Sequence, residues 1–284
     1  NVIAIDPNND NIVYVGAPAG GIWKSTNGGS NWTPLIDDLP QIGVSGIAID
    51  PKNSNIIYIS TGDDDASDSY SIGVLKSIDG GNTWDKTGLV FNNTSTTSND
   101  IYIDPNNSNT LWIATSVGVY KTTNAGANWT RTLNGNIKDI KLKPGDSNTI
   151  YAVTSSSFYK STNAGNSFSR VQSGLPSSSG RLVIDVTPAN PQYVYVLSAN
   201  TRNNNYSFQG IYKSTNSGAS FTKTRETSNI LESTQAWYDL AFAVSDKDPN
   251  TLFVGCLNVW KSTDGGNDFS RINRWNAPRE AAYT

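Results

Sequence analysis

A short motif recurs six times along the chain, and this repetition constrains the fold more than any other feature. Each copy has the form Ser/Thr-x-Asp/Asn-x-Gly-x-x-Trp/Phe and follows a lysine. The hydroxyl residue that opens the motif lies at positions 25, 77, 122, 161, 214 and 262, so successive copies are 52, 45, 39, 53 and 48 residues apart. Periods of about 40–50 residues are typical of the blades of a β-propeller. The spacing therefore predicts six similar supersecondary units.

Each repeat also carries two strand patterns before the motif. In the first repeat these are residues 4–7 (Ala-Ile-Asp-Pro) and 12–15 (Ile-Val-Tyr-Val). β-Branched and aromatic residues bounded by Asn, Pro and Gly indicate strands. One repeat is thus interpreted as four strands, a to d, with an Asp-Pro turn between a and b, a loop between b and c, and the motif between c and d.

The sequence therefore predicts an all-β fold, a β-propeller of four-stranded blades with six visible repeats. We expect a single propeller over residues 1–284, closing alone or forming part of a seven- or eight-bladed ring in a longer chain. The approximate repeats are 1–43, 44–96, 97–135, 136–178, 179–228 and 229–284.

Composition excludes several classes of function. The net charge is −3, so we expect no phosphate-binding surface and no nucleic-acid partner. The sequence has no histidine, which excludes Ser-His-Asp and Cys-His catalysis within these residues. The single cysteine, Cys256, forms no intrachain disulfide and is expected to be a small buried hydrophobic residue. Since no apolar run approaches the roughly 20 residues of a membrane helix, we expect no membrane span.

The motif resembles the Asp-box of the BNR family, which occurs in sialidases, xyloglucan-cleaving glycoside hydrolases, sortilin-type receptor domains and a photosystem assembly factor. The resemblance covers all six repeats and implies the fold rather than an activity. An Asp or Asn in the motif satisfies backbone groups of a turn, and the glycine supplies a positive φ. Because one position repeats six times, we interpret its residues as structural. They are Asn27, Asp79, Asn124, Asn163, Asn216 and Asp264.

Irregular loops are the candidates for function, because loops carry binding and catalytic residues more often than the scaffold does. The second repeat inserts an acidic loop between strands b and c, with Asp63, Asp64, Asp65, Asp68 and Tyr70 as candidate ligand-binding residues. Calcium takes oxygen ligands, so Asp63, Asp65 and Asp68 form a possible calcium site. A solvated acidic loop without any cofactor is the favoured alternative, because the spacing is not that of an EF-hand.

Two further segments are candidates. The fifth repeat has an insertion in which Arg202 and Tyr206 can contact a polar ligand, and a plain surface loop is the alternative. The connection before the sixth repeat contains Trp237, Tyr238 and Asp239. Aromatic side chains can stack on the apolar face of a sugar while a carboxylate accepts its hydroxyls. Packing of the two aromatic residues between blades is the alternative.

A glycoside hydrolase needs two carboxylates facing one bond or, in sialidases, a tyrosine nucleophile. The resemblance to the xyloglucan-cleaving enzymes implies a catalytic Asp in the first b–c loop, where this chain has Pro18, and no Arg-Ile-Pro segment of the sialidase type is present. Our hypothesis is a non-catalytic, secreted or cell-surface propeller that binds glycan or protein, as in large secreted bacterial surface proteins. Its partners would include further domains of the same polypeptide or a larger surface assembly. A xyloglucanase-like or sialidase-like hydrolase of extracellular polysaccharide is the alternative.

Overall fold

The computed structural model describes residues 2–37, 43–63 and 69–276. Within them the chain forms 24 β-strands and a three-residue 3-10 helix, and the strands make six four-stranded sheets. Each sheet is a meander of strands that are consecutive in sequence, as in the antiparallel first sheet. This confirms the predicted all-β β-propeller of four-stranded blades. Among the described residues, no helix has the length and apolar character needed to cross a bilayer.

The chain divides into two compact units, the first of which spans Asn1–Ile140 and Gly165–Ser167. It contains the first three sheets. Their strands are β1 (Val2–Asp6), β2 (Asn9–Gly16), β3 (Ile22–Ser25), β4 (Thr33–Pro34), β5 (Val44–Ile49), β6 (Ile57–Thr61), β7 (Val74–Ser77), β8 (Asp85–Lys86), β9 (Ser98–Asp104), β10 (Asn107–Thr115), β11 (Gly118–Thr122) and β12 (Thr130–Asn134).

The second unit spans Lys141–Ala164 and Phe168–Thr284 and contains the last two sheets and most of the fourth. The strands of these three sheets are β13 (Asp139–Lys143), β14 (Asp146–Val153), β15 (Phe158–Ser161), β16 (Ser169–Val171), β17 (Arg181–Val186), β18 (Val194–Ala199), β19 (Phe208–Ser214), β20 (Thr222–Lys223), β21 (Ala241–Val244), β22 (Leu252–Gly255), β23 (Val259–Ser262) and β24 (Ser270–Arg271). The 3-10 helix, Arg202–Asn204, lies between β18 and β19.

The core of each unit lies between successive sheets. Tyr14 and Ile22 of the first sheet pack with Ile47 and Ile49 of the second in one buried cluster. In the second and fifth sheets the second strand is covered on both faces, and every residue of β6 and of β18 is buried. The fourth strand is short and solvated, and both residues of β8 are exposed. This gradient explains why the second strands have continuous apolar runs in the sequence.

The Asp-box forms a turn held by its own side chains. In the second repeat the Ser77 hydroxyl donates to Asp79 Oδ1 over 2.8 Å, and the Gly81 amide donates to Ser77 Oγ over 2.9 Å. The Thr83 amide donates to Asp79 Oδ1 over 2.9 Å. Gly80 and Gly81 have φ values of 72° and 95°, which a side chain disfavours. The carboxylate of Asp79 is therefore occupied by the turn itself.

The lysine before the Asp-box connects neighbouring repeats at Lys24 and at Lys213. Lys24 Nζ lies 5.4 Å from the centroid of the Tyr14 ring and donates to the Gly80 carbonyl over 2.9 Å, in the next Asp-box turn. In the fifth repeat Lys213 Nζ donates to Asn250 Oδ1 of the sixth over 3.1 Å. The ring and the carbonyl or amide oxygen together compensate for partial burial of the ammonium. These two lysines thus stabilise the packing of neighbouring sheets.

Candidate functional site

A polar cleft of about 830 Å³ opens in the second unit. Its walls come from the b–c loop of the fifth sheet and the connection between β20 and β21, and one residue comes from the b–c loop of the sixth sheet. Ten of the eleven lining residues are polar. The lining consists of Asn200, Asn203, Asn204, Asn205, Ser207, Asn229, Glu232, Ser233, Thr234, Gln235 and Leu257. Two of the three segments predicted from the sequence as candidates therefore line one cleft.

The first wall is a compact loop between β18 and β19. Its base is closed because the Asn200 main-chain amide donates to the Ser207 carbonyl over 2.8 Å, and Asn200 Nδ2 donates to Ser207 Oγ over 2.9 Å. Between these residues the chain makes the 3-10 helix Arg202–Asn204 and then turns through Asn205. This short helix places three consecutive asparagines along the cleft.

The second wall, the connection between β20 and β21, is attached to the first. Asn229 Oδ1 accepts a hydrogen bond of 2.8 Å from the Phe208 amide, which joins the connection to the start of β19. Ile230 and Leu231 are buried in the core cluster of the fifth and sixth sheets. Apolar anchoring of these two residues leaves the following polar residues, Glu232 to Gln235, on the surface of the cleft.

Three non-glycine residues with positive φ lie at or beside the polar cleft. The described residues include six non-glycine residues with positive φ. Three of them occupy the fourth position of an Asp-box, where the other boxes have glycine. The remaining three are Asn205 at 54°, Tyr206 at 50° and Glu232 at 51°. Asparagine adopts the left-handed region readily, so Asn205 is an ordinary C-cap of the 3-10 helix. For Tyr206 and Glu232 this region costs about 1–2 kcal/mol, and such strain occurs often at functional sites.

Glu232 is the only carboxylate among the described lining residues, and both of its oxygens are occupied. Oε1 lies 3.2 Å from Arg271 Nη1 in an ion pair, and Oε2 accepts a hydrogen bond of 2.5 Å from Asn258 Nδ2. The charge of the carboxylate is thus balanced within the protein. The polar cleft therefore offers a ligand mainly neutral groups.

The neutral groups of the polar cleft are available for binding. The side chains of Asn203, Asn204, Asn205, Thr234 and Gln235 are exposed and make no hydrogen bond within the described residues. A carboxamide offers two donor hydrogens and an acceptor oxygen, and a hydroxyl offers one donor and two acceptor lone pairs. The lining can therefore hydrogen-bond a ligand that is itself both donor and acceptor.

Trp237 and Tyr238 form an exposed aromatic pair just beyond the lining. Their side chains are 45% and 40% exposed, and their ring centroids are 5.5 Å apart with the planes tilted by 46°. The Tyr238 amide donates to the Gln235 carbonyl over 2.7 Å, so the pair follows Gln235 in one tight turn. The Trp237 carbonyl accepts a hydrogen bond of 2.8 Å from Arg181 Nη1. The rings lie at the surface next to a lining residue.

Asp239 contacts the lone cysteine. Its Oδ1 accepts a hydrogen bond of 3.2 Å from the Cys256 thiol. Burial, and then the contact with Asp239, raise the pKa of Cys256 to about 11. Cys256 is half-buried, where the sequence predicted a buried residue, and it packs against the core of the fifth and sixth sheets. The carboxylate of Asp239 is thus used inside the protein and is not part of the cleft lining.

The other predicted residues of the second unit lie beside the polar cleft. Arg202 is exposed on the 3-10 helix, and Tyr206 packs partly buried against the core. Neither lines the cleft, and both remain candidates. The sequence reasoning did not identify the asparagines that follow Arg202, or Glu232. A run of three asparagines inside an insertion is the signal that could have identified the first wall.

The acidic loop of the first unit is described only in part. Asp63 is buried, and its amide donates to the Ser69 carbonyl over 2.8 Å. Tyr70 is exposed. Asp64, Asp65 and Asp68 lie outside the described residues, so the calcium site at Asp63, Asp65 and Asp68 stays a prediction. In the described ranges, no group of three or more Asp, Glu, His or Cys residues is arranged to hold a metal ion.

The chain is similar to a known protein family and to several solved structures. The model of the Sortilin-Vps10 family, described as sortilin, neurotensin receptor 3, matches residues 117–273. No curated protein sequence matches the chain significantly.

Solved structures share the fold at low sequence identity. The GH74 enzyme from Niastella koreensis is 24% identical with a TM-score of 0.70, and the match covers 95% of this chain and 44% of that enzyme. YCF48 bound to D1 peptide is 16% identical with a TM-score of 0.65, covering 95% of this chain and 79% of YCF48. The extracellular domain of BT4673 from B. thetaiotaomicron is 14% identical with a TM-score of 0.66, covering 97% of this chain and 33% of that chain. The chain thus spans less than half the length of the GH74 enzyme, and these similarities show the fold alone.

Proposed function

Since the chain belongs to the Sortilin-Vps10 family, we propose that it is a binding protein rather than an enzyme. It acts as a secreted or cell-surface β-propeller, and it holds a glycan or protein ligand in the polar cleft of its second unit. The description of the matching family names a receptor, neurotensin receptor 3, and this supports a binding role.

The observation that carries the proposal is the chemistry of the polar cleft. Exposed amides line both walls, while Glu232, the one carboxylate of the described lining, is paired with Arg271. Glycoside hydrolysis uses two carboxylates separated by about 5–9.5 Å. A lining with one carboxylate, already neutralised, favours binding without bond cleavage.

Related folds support the same role. YCF48 holds a D1 peptide, so a propeller of similar fold binds a protein ligand. The matched part of BT4673 is an extracellular domain, which supports a location outside the cell. Similarity to a GH74 enzyme keeps glycoside hydrolysis as the alternative function. That alternative would require a second carboxylate that the described lining does not contain.

Array binding with a matched pair of variants tests the proposal. The wild-type chain is applied to glycan and peptide arrays together with Gln235→Ala and Gln192→Ala. Both glutamines are exposed in the second unit, but only Gln235 lines the polar cleft, whereas Gln192 lies in the turn between β17 and β18. We expect Gln235→Ala to weaken binding and Gln192→Ala to bind like the wild type.

A parallel assay addresses catalysis. Bound glycans and xyloglucan are incubated with the wild type and with Glu232→Gln, and released reducing ends are measured. We expect no release above the buffer blank. Turnover that Glu232→Gln abolishes would replace the binding proposal by the hydrolase alternative, and equal binding by all variants would remove the polar cleft as the site.

A further inference from the structure

We infer that the ligand of the polar cleft is an uncharged oligosaccharide, held by the cleft amides and stacked on the aromatic pair Trp237 and Tyr238. This inference rests on the proposed function and deepens it, because it names the chemical class of the ligand. Four observations carry it: the free amides, the balanced charge, the single apolar residue in the described lining, and the exposed rings.

The free hydrogen-bonding groups match the chemistry of a sugar. Asn203, Asn204, Asn205, Thr234 and Gln235 present exposed amides and a hydroxyl. Each hydroxyl of a sugar can both donate and accept a hydrogen bond. A carboxamide can accept from one hydroxyl through its oxygen and donate to a neighbouring hydroxyl through its NH₂ group. Three amides on the first wall, with Thr234 and Gln235 on the second, therefore suit a ligand whose surface is covered by hydroxyls.

The balance of charge disfavours an ionic ligand. Glu232 is held by Arg271 and Asn258, so it offers no free anion to a cationic group. No lysine or arginine lines the cleft among the described residues. Arg202 is exposed next to the lining residue Asn203, and it is the group that an acidic sugar would contact. Acidic glycans are therefore the necessary comparison.

The lining also disfavours a peptide. Protein and peptide ligands gain most of their affinity from apolar or aromatic anchors buried in a pocket. Leu257 is the one apolar residue of the described lining. A peptide side chain would find no apolar pocket within the polar cleft, whereas hydroxyl groups would find partners along both walls.

The aromatic pair supplies the apolar contact that a sugar needs. Trp237 and Tyr238 expose 45% and 40% of their surface and follow the lining residue Gln235 by two and three positions. Exposed aromatic rings side by side indicate a contact surface, and the C–H face of a pyranose is flat enough to cover one. The volume of about 830 Å³ lies in the upper part of the 300–1,000 Å³ typical of ligand sites, which suits several sugar units.

The experiment uses the whole chain and three sets of probes: neutral oligosaccharides, sialylated or uronic-acid oligosaccharides, and a peptide library. The affinity of the strongest neutral probe is then measured by calorimetry for Trp237→Ala, Trp237→Phe and Trp275→Ala. Trp275 is also an exposed tryptophan of the second unit, at 67%, and it does not line the cleft. Truncation of Trp237 leaves its carbonyl to accept the hydrogen bond from Arg181, so we expect the variant to fold, and its melting temperature checks this.

We expect neutral oligosaccharides to bind, and Trp237→Ala to weaken binding about tenfold or more, because the stacked face is lost. Trp237→Phe keeps an aromatic face and is expected to stay within about threefold of the wild type. Trp275→Ala is expected to bind like the wild type. Equal affinity of Trp237→Ala and Trp275→Ala would overturn the role of the aromatic pair.

The remaining outcomes separate this inference from the proposed function. Binding of peptides but not glycans, weakened by Gln235→Ala, would overturn the inference and keep the polar cleft as a binding site. Preference for acidic glycans, lost in Arg202→Ala, would overturn the claim of an uncharged ligand. Binding that Gln235→Ala leaves unchanged would overturn both proposals, and no binding to any neutral probe would overturn the inference.

Discussion

Glu232 and Arg271 form an ion pair with 3.2 Å between Oε1 and Nη1, although 39 residues separate them in the sequence. Glu232 belongs to a wall of the polar cleft, and Arg271 belongs to β24, the last strand of the sixth sheet. The Arg271 guanidinium also lies 5.7 Å from the centroid of the Trp260 ring. This relationship attaches the wall of the cleft to the sheet and neutralises the carboxylate that the lining contains.

We predict that Arg271→Gln lowers the free energy of unfolding by no more than about 1 kcal/mol, because solvent screens an ion pair at the surface. The two side chains are 30% and 32% exposed. Unfolding in urea, followed by tryptophan fluorescence, measures the change. Arg170→Gln is the matched control, since Arg170 has the equivalent place in β16 and forms no ion pair with Glu232. An equal loss in both variants would show that the pair contributes nothing.

The lowered pKa of Asp79 leads us to predict a specific dependence of the free energy of unfolding on pH. Hydrogen bonds from the Thr83 side chain and amide, and then from Ser77, lower its pKa from 3.8 to about 2. A carboxyl whose pKa is lower in the folded state contributes stability above its unfolded pKa, and this contribution is lost as the pH falls through the folded pKa. We therefore expect part of the acid destabilisation between about pH 4 and pH 2 to come from Asp79.

The variant Asp79→Asn tests this directly. Asn216 in the fifth repeat shows that an amide suits the turn, because its Nδ2 donates to Ser220 Oγ over 2.8 Å and its Oδ1 accepts from the Ser220 amide over 3.0 Å. We expect near-native stability at neutral pH and a shallower fall of the melting temperature below about pH 4. Parallel melting curves for the wild type and the variant would contradict the assignment.

Cys256 is predicted to react slowly with thiol reagents. Burial and the hydrogen bond to Asp239 raise its pKa to about 11, and the thiolate is the reactive form. We expect Asp239→Asn to lower this pKa and speed alkylation at pH 8, while burial keeps the reaction slower than in the unfolded chain. Because the sequence has one cysteine, iodoacetamide labelling followed by mass spectrometry reads this site alone. Equal rates in wild type and variant would show that Asp239 does not stabilise the thiol.

The fourth position of the Asp-box predicts a stabilising substitution. Ala125 has a φ of 55°, close to the 64° of Gly28 at the same position in the first repeat. Relief of about 1–2 kcal/mol of left-handed strain exceeds the roughly 0.5–1 kcal/mol that glycine loses in entropy. We expect Ala125→Gly to increase stability by up to about 1 kcal/mol.

Ala127→Gly in the same turn is the control for this prediction. Ala127 is exposed and is not among the residues with positive φ, so glycine there adds only entropy to the unfolded chain. We expect a small loss of stability. Thermal unfolding of both variants decides the matter: a loss in Ala125→Gly as large as in Ala127→Gly would show that φ at Ala125 carries no strain.

The repeated part of the fold was predictable because its causes are local. The Ser77, Asp79 and Gly81 positions satisfy a turn within a few residues, so their spacing alone indicates the turn. The apolar runs of the second strands are equally visible, since these strands are buried on both faces. The role of the periodic lysines was less accessible, because the partner of Lys24 is the Gly80 carbonyl in the next repeat.

The site was predictable as segments but not as residues. The insertion after β18 and the connection before β21 differ from the repeat, and both line the polar cleft. Within them, the sequence favoured Arg202, Asp239 and the aromatic residues, whose chemistry is conspicuous. Asp239 contacts Cys256 and Arg202 lies outside the lining, whereas the less conspicuous asparagines line the wall. Side-chain partners that come from distant segments decide such roles.

The sequence by itself determined the six repeats, the strands of each repeat and the Asp-box turns, because these depend on periodic burial and on hydrogen bonds between near neighbours. Tertiary structure alone decided that two irregular segments, about 30 residues apart in the chain, face one another across a cleft. It also decided that Glu232 is paired with Arg271 and that Trp237 and Tyr238 stay exposed. These features depend on how the packed sheets bring distant loops together. A local sequence pattern does not specify which distant residues a side chain will contact.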